Sequence, residues 1–147
     1  MVTIKGGDRW EAHLKEYASK LGRPVTLSVG WQDGAAYPDG TPVAAVVAGN
    51  EYGRPSAGQP PRPAIRNMVA ARSPEWGPKF AALLKANGGD ATHALEQMGE
   101  AIKGEMQQAI ADYSGPALKP STVARKGSAK PLVDTGQELA SITVKME

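Results

Sequence analysis

Two histidines, His13 and His93, are the side chains of this chain best suited to proton transfer or metal binding near neutral pH. Neither belongs to a His-x-x-x-His or Glu-x-x-His motif, and the chain has no cysteine. A metal site needs several ligands at defined spacing. We therefore interpret both histidines as surface or helix-flank residues, and the sequence predicts no metal and no cofactor.

The acidic residues do not form a catalytic pattern either. The tripeptide at 134–136, Asp-Thr-Gly, also occurs in aspartic proteases, but those enzymes share a proton between two carboxylates, and this chain has one such motif. Glu96, Glu100 and Glu105 follow one predicted helix, where a solvated face is the simpler interpretation. The chain contains neither a nucleophile elbow nor a Gly-rich phosphate loop. The sequence predicts a protein that is not an enzyme.

One basic cluster stands near the C-terminus, formed by Lys119, Arg125, Lys126 and Lys130. These side chains could line a channel that carries DNA or touch an acidic partner. They could equally be solvated, with no cation-specific role. Asp134 could instead pair with one of them and fix the loop. The sequence leaves these interpretations open.

A second candidate surface is an arm near 53–63, rich in proline and glycine. Arginines flank its prolines, and a proline-stiffened arm loses less entropy when a partner orders it. Ordered loops often carry function. We therefore predict a protein contact there, with the contact residues Glu51, Tyr52, Arg54, Arg62 and Arg66.

Composition limits the class of protein. The chain has 147 residues, which suits one domain spanning 1–147 with the arm near 53–63 and a basic C-terminal loop near 116–136. Its net charge is +2 and aromatic residues make up 5%, which argues against an extended nucleic-acid platform. No apolar run approaches the ~20 residues of a membrane span, and the first residues lack the apolar core of a secretory signal peptide.

Hydrophobic periodicity and capping signals indicate the helices and strands on which the candidate residues lie. They predict an α+β fold in which a small antiparallel sheet, including one further short strand near Ala36, packs against several helices joined by long Pro/Gly-rich loops. The three tryptophans, Trp10, Trp31 and Trp76, are predicted to lie in the core, and Gly99 and Gly104 to allow close approach of another backbone. The predicted elements are helices Arg9–Leu21, Val43–Tyr52, Ala64–Arg72, Ser73–Asn87, Ala91–Tyr113, Thr122–Lys126 and Gln137–Ala140, and strands Val25–Trp31 and Ile142–Met146.

The C-terminal loop has its own anchoring signals. A serine is predicted to cap the short helix before it, and a glycine at 127 to end that helix. A proline then forces an extended entry, and Asp-Thr-Gly is typical of a tight turn. The predicted loop-anchoring residues are Ser121, Pro131, Leu132, Asp134, Thr135 and Gly136.

Two blocks of the sequence resemble a known family. The stretch from Pro116 to Ile142, with Ser-Thr at 121–122, Arg-Lys-Gly at 125–127 and Lys-Pro-Leu-Val-Asp-Thr-Gly at 130–136, is similar to the C-terminal signature of tail-completion or neck (virion morphogenesis) proteins of long-tailed bacteriophages. Asn-Glu-Tyr-Gly at 50–53, followed by Pro-Arg-Pro at 61–63, resembles a second block of that family. The chain departs from the family at Tyr52, where Phe is frequent, at Ala64, where an aromatic residue is usual, and in a longer loop between the blocks.

The resemblance implies a structural virion protein that forms a six- or twelve-fold ring of identical subunits at the head–tail junction. Such a ring would contact connector or portal-side and tail-side virion proteins, leave a channel in which it could touch DNA, and have no membrane partner. It would be assembled in the host cytoplasm and reside in the virion. A tail terminator or minor tail protein, and a DNA-binding accessory protein, are the alternatives.

Overall fold

The computed structural model describes residues 7–21, 24–127, 132 and 136–147. These residues form an α+β fold with a small antiparallel sheet and surrounding helices, as the sequence predicts. Within the described ranges, no helix has the length and apolar character needed to cross a membrane. The elements are α1 (Gly7–Leu21), β1 (Leu27–Trp31), α2 (Val43–Tyr52), α3 (Ala64–Ala86), α4 (Ala91–Asp112), α5 (Pro120–Lys126), α6 (Gln137–Ala140) and β2 (Ile142–Met146).

The sheet joins the two ends of the described fold. Strands β1 and β2 pair antiparallel, with Leu27 opposite Met146 and Trp31 opposite Ile142. Thr26 and Glu147 extend the ladder, exchanging backbone hydrogen bonds of 2.8 and 3.0 Å. The predicted further strand is not found in the part of the chain that the structure describes. Near Ala36 there is only an isolated bridge to Pro42.

The sheet packs against one side of α4 at Gly99. An alanine Cβ at this position would lie 2.5 Å from Val144 Cγ1 and 2.9 Å from Leu27 Cδ1. Only a glycine lets both strands approach the helix this closely. The prediction was of a close approach by another backbone. At Gly99 the nearest atoms belong to side chains of the two strands, so the prediction holds there only as close packing. At Gly104 it is wrong, because a Cβ would meet no atom within 4 Å.

The core lies where α3, α4 and the sheet meet. Trp31 and Trp76 pack against it, as predicted. Trp10 does not: it is 66% exposed on α1, so the core prediction was wrong for this residue. The buried residues of this core cluster are Ala64, Met68, Met106, Ile110, Leu132 and Ile142.

Helix α3 is continuous from Ala64 to Ala86, so the prediction of a break at Ser73-Pro74 was wrong. A proline inside a helix removes one backbone hydrogen bond and crowds the preceding turn. Here packing against α4 stabilises the helical conformation of the residues that follow Pro74. Trp76 Nε1 and Lys79 Nζ each donate to the Glu105 carboxylate of α4 at 2.9 Å. Tertiary contacts thus outweigh the local signal.

Capping signals succeeded at one helix and failed at another. An aspartate just before a helix is a common N-cap, and Asp90 caps α4 in this way, because its carboxylate accepts the backbone N–H of His93 at 3.0 Å. Ser121 does not cap α5, which begins at Pro120, two residues before the predicted start, with Lys119 in the N-cap position. Proline is favoured in the first turn of a helix, so Pro120 places the start of α5 nearer the N-terminus than predicted. Gly127 ends α5 in the left-handed conformation, as predicted.

Candidate functional site

The arm between α2 and α3 is a closed loop rather than an open extension. Backbone hydrogen bonds of 2.9 and 3.0 Å run in both directions between Arg54 and Gln59. The loop turns at Gly53, which has a φ of +77° and whose missing Cβ would lie 2.8 Å from both Gln59 O and Pro61 N. The Gln59 side chain also donates to Asn50 Oδ1 at 2.9 Å. The arm therefore has a defined shape before any partner binds.

Glu51 holds the base of the arm against α3. Its carboxylate accepts the backbone N–H of Ile65 at 2.5 Å and Arg66 Nε at 3.2 Å. In return, Arg66 Nη2 donates to the Glu51 backbone carbonyl at 2.7 Å. The first N–H groups of a helix lack internal acceptors and favour a negative charge. Glu51 supplies that charge to α3 from the end of α2.

Two of the residues predicted to contact a partner are buried in the folded chain. Glu51 is 6% exposed and Arg62 is 7% exposed, so neither side chain has the surface that contact with a partner requires. The backbone N–H of Arg62 donates to Asn50 O at 2.7 Å, which fixes the chain as it enters α3. Both residues act as internal supports of the arm, because the folded chain encloses them.

The other arm residues of the prediction are exposed together. Tyr52 is 67% exposed, and the guanidinium carbon of Arg66 lies 4.8 Å from the centre of its ring. This geometry is a cation–π contact. Arg54 is also exposed, and its guanidinium donates weakly to Ala45 O at 3.4 Å. The base of the arm thus presents one aromatic ring in contact with the guanidinium of Arg66.

The basic C-terminal cluster is described only in part. Lys119, in the N-cap position of α5, is exposed, as are Ser121 and Arg125 on that helix. Leu132 is 6% exposed and belongs to the core. Gly136, with a φ of +76°, leads into α6. The side chain of Lys126 and the residues Lys130, Pro131, Asp134 and Thr135 lie outside the described part of the chain.

Sequence reasoning missed Glu138, which is 8% exposed in α6. Tyr37 Oη donates to Glu138 Oε1 at 2.8 Å, and Trp31 Nε1 donates to the Glu138 backbone carbonyl at 2.8 Å. The neighbouring Gln137 donates to Ala36 O at 2.6 Å. These bonds tie α6 to the loop that follows β1. A glutamate in a four-residue helix gave no local signal of burial.

Helix α1 leaves its apolar face exposed. Trp10, Leu14 and Tyr17 are 66%, 57% and 48% exposed and lie on one face at helical spacing. Trp10 stacks on His13 with the ring centres 6.3 Å apart. Tyr17 approaches the turn before α4, since a Cβ at Gly89 would lie 3.2 Å from its Cζ. An amphipathic helix therefore touches the body of the protein but does not bury its apolar face there.

An open groove lies at the opposite end of α4, between that helix and the start of α3. It has a volume of about 590 Å³. Ala64 and Met68 of α3 face Ala109 of α4 across it, and Tyr113 stands at the end of α4. Polar residues also line the groove, namely Asn67, Asp112 and Ser114.

Two of the groups with shifted pKa values, Lys79 and Glu105, join α3 to α4. Burial opposes ionisation of Glu105, but the bonds from Lys79 and Trp76 outweigh it and hold the pKa of this carboxyl below its usual 4.5. The same bond to Glu105, with a second to Glu75, raises the pKa of Lys79. Within the described ranges, no three His, Asp or Glu residues are placed to hold a metal ion.

Comparisons of the chain with family models, with curated proteins and with solved structures gave no match.

Proposed function

We propose that this chain is a structural virion protein that forms a ring at the head–tail junction of a long-tailed bacteriophage. The ring joins the connector to the tail and leaves a channel for DNA, and the protein makes and breaks no covalent bond. The resemblance of the blocks at 50–63 and 116–142 to neck proteins supports the viral part of the proposal. The exposed apolar face of α1 supports the proposal that identical copies assemble into a ring.

The stripe formed by Trp10, Leu14 and Tyr17, called here the α1 stripe, is the observation on which assembly depends. Contiguous exposed apolar patches of a few hundred Å² on a folded chain are typical of interaction sites. Trp and Tyr are enriched at the energetic centres of protein interfaces. The α1 stripe contains both residues within two helical turns. A partner that covers it would remove the largest exposed side chains of α1 from water.

The position of the α1 stripe favours head-to-tail contacts between identical copies. Tyr17 meets α4 at its beginning, near Gly89, whereas the groove lined by Met68 and Ala109 lies at its end. A helix of 22 residues is roughly 33 Å long at ~1.5 Å per residue. The α1 stripe therefore cannot reach the groove of its own chain, but a neighbour's groove is accessible. Heterologous contacts of this kind close into rings when the rotation between subunits permits.

The arm supports a second set of contacts, to the neighbouring ring. Its base is fixed by Glu51 and by the Arg54–Gln59 bridge, so little ordering entropy remains to be lost on binding. Tyr52 and Arg66 stand exposed beside it. Together they offer an aromatic and cationic surface for a virion protein of opposite charge.

Cryo-electron microscopy of purified virions tests the proposal. We expect density for this chain as a closed ring between the connector and the tail tube. Density at a different height along the tail would instead favour a tail terminator or minor tail protein. A DNA-binding accessory role would require DNA affinity that falls steeply with salt and depends on Lys119 and Arg125. Absence of the chain from the particles would contradict all virion roles.

A further inference from the structure

Gly49 lies inside helix α2 although no turn requires a glycine there. Its backbone is helical and does not have the positive φ that favours glycine. Glycine is less favourable than alanine in a helix interior, so the residue needs another explanation. A Cβ at this position would collide with the guanidinium of Arg54, coming within 2.5 Å of Nη2 and 2.7 Å of Cζ. The missing side chain therefore leaves the space in which this guanidinium lies.

Arg54 is positioned at both ends but is barely bonded. Its backbone is fixed by the two hydrogen bonds to Gln59, and its guanidinium rests on α2, where Nη2 donates weakly to Ala45 O at 3.4 Å. A guanidinium carries five N–H donors. Among the described residues, the Arg54 side chain makes no ion pair and no other hydrogen bond. An exposed arginine is thus held in one place with most of its donors unused.

The location of this guanidinium brings it close to Tyr52. It takes the place of a side chain at position 49, and helical residues three apart have Cβ atoms about 5–6 Å from each other. Tyr52 is 67% exposed, and the guanidinium carbon of Arg66 lies 4.8 Å from the centre of its ring. Two guanidinium groups are therefore neighbours of one exposed tyrosine. Tyr52, Arg54 and Arg66 are called here the arginine–tyrosine patch.

The charge of the arginine–tyrosine patch favours an acidic protein as its partner. The one acidic residue of α2, Glu51, is 6% exposed and already bonded to α3, whereas Ala45 and Ala48 are exposed and uncharged. The guanidinium fork matches a carboxylate, which accepts two parallel N–H bonds. Tyr and Arg are also enriched at the energetic centres of protein interfaces. DNA is a poorer fit, because its binding depends on many phosphate contacts and the patch offers two cations.

We propose that the arginine–tyrosine patch binds an acidic segment, containing Asp or Glu, of a protein in the neighbouring ring. Gly49 is the positioning residue, because it lets the Arg54 guanidinium lie on α2 where a carboxylate of the partner accepts its free N–H groups. This inference rests on the proposed contact between the arm and the neighbouring ring. It adds the chemistry of the partner and the role of the glycine.

Cryo-electron microscopy of virions at side-chain resolution tests the contact directly. We expect a carboxylate oxygen of another virion protein within about 2.7–3.2 Å of a guanidinium nitrogen of Arg54. A ring in which the patch faces solvent, DNA or a second copy of this chain would overturn this inference and leave the proposed ring intact. Absence of the ring from the particles would contradict both.

The variant Gly49→Ala separates positioning from folding. The added methyl displaces only the flexible end of Arg54 and alanine favours the helix, so we expect stability equal to or above that of the parent protein. The number of copies per virion should nevertheless fall about tenfold, as loss of a central arginine contact implies. Gly104→Ala, which meets open space on α4, is the matched control and should leave incorporation unchanged.

The variant Arg54→Gln tests the same contact without a change in α2. We expect a similar, about tenfold loss of incorporation, with unfolding by urea unchanged because the side chain is exposed. Arg72→Gln is the control, since the Arg72 side chain is 51% exposed on α3. Normal incorporation of Arg54→Gln would overturn the proposal. If Gly49→Ala does not fold, Arg54→Gln decides the outcome.

Discussion

The carboxylate of Glu51 accepts the backbone N–H of Ile65, fourteen residues later, at 2.5 Å. A side chain at the end of α2 thereby caps the start of α3, and the arm between them is held at its base. Pro63, in the N-cap position of α3, makes no side-chain capping bond. The shape of the arm therefore depends on a long-range cap.

Removal of this cap should destabilise the protein. We expect Glu51→Ala to lower the free energy of unfolding by about 1–3 kcal/mol, because it leaves helix N–H groups and Arg66 without their acceptor. Urea unfolding followed by circular dichroism measures the change. Glu100→Ala is the control, since the Glu100 side chain is 66% exposed and such changes stay within about 0.5 kcal/mol. Equal stability of the two variants would contradict the capping role.

The glycines of α4 provide a matched pair. Gly99→Ala places a methyl group against Val144 and Leu27, and overpacking of this kind costs about 1–3 kcal/mol. The β-branched Val144 has little freedom to move aside. Gly104→Ala meets open space and should stabilise the helix by up to about 1 kcal/mol. Thermal unfolding of both variants measures the contrast, and a stabilising Gly99→Ala would refute the close packing of the sheet on α4.

Glu105 should make stability depend on pH. Its folded pKa lies below the usual 4.5, so its contribution is present above that pH and is lost as the pH falls through the folded pKa. We expect Glu105→Gln to lower stability at pH 7 and to flatten the pH dependence below about pH 4.5. Urea unfolding of both proteins between pH 7 and pH 3 measures this. An unchanged pH profile would show that Glu105 ionises equally in both states.

The α1 stripe should control assembly rather than folding. We expect the double variant Trp10→Ser, Leu14→Ser to keep the free energy of unfolding of the body within about 0.5 kcal/mol, because both side chains are already exposed. Self-association and incorporation into particles should fall at least tenfold. Sedimentation velocity and quantification of the protein in virions measure these effects.

Lys15→Ser is the matched control on the same helix. The Lys15 side chain is 76% exposed and pairs with Glu11, and such surface pairs contribute little to stability. This variant should assemble like the parent protein. Normal particles from the double variant would contradict a role of the α1 stripe in assembly.

Local signals predicted those elements whose ends are fixed by neighbouring residues. Helix α2 spans Val43–Tyr52 as predicted, and Asp90 caps α4. Strand β2 follows its alternation, with Ile142 buried and Thr143 exposed. In these cases a turn, a cap or a two-residue period carries the information, so a sequence is sufficient.

Features that depend on residues distant in sequence were not predictable. The continuity of α3 through Pro74 depends on Glu105 of α4, which a local proline penalty does not include. The burial of Glu51 and Arg62 depends on the closure of the arm onto α3. The spacing of the α1 stripe identified an apolar face, but periodicity does not say whether the same chain covers that face.

Quantitative mass spectrometry of gradient-purified virions tests most directly the central claim that this chain is a self-assembling virion subunit. We predict six or twelve copies per particle, and a sharp loss of copies for the Trp10→Ser, Leu14→Ser variant but not for Lys15→Ser. Particles that are complete and infectious without the chain would contradict the claim.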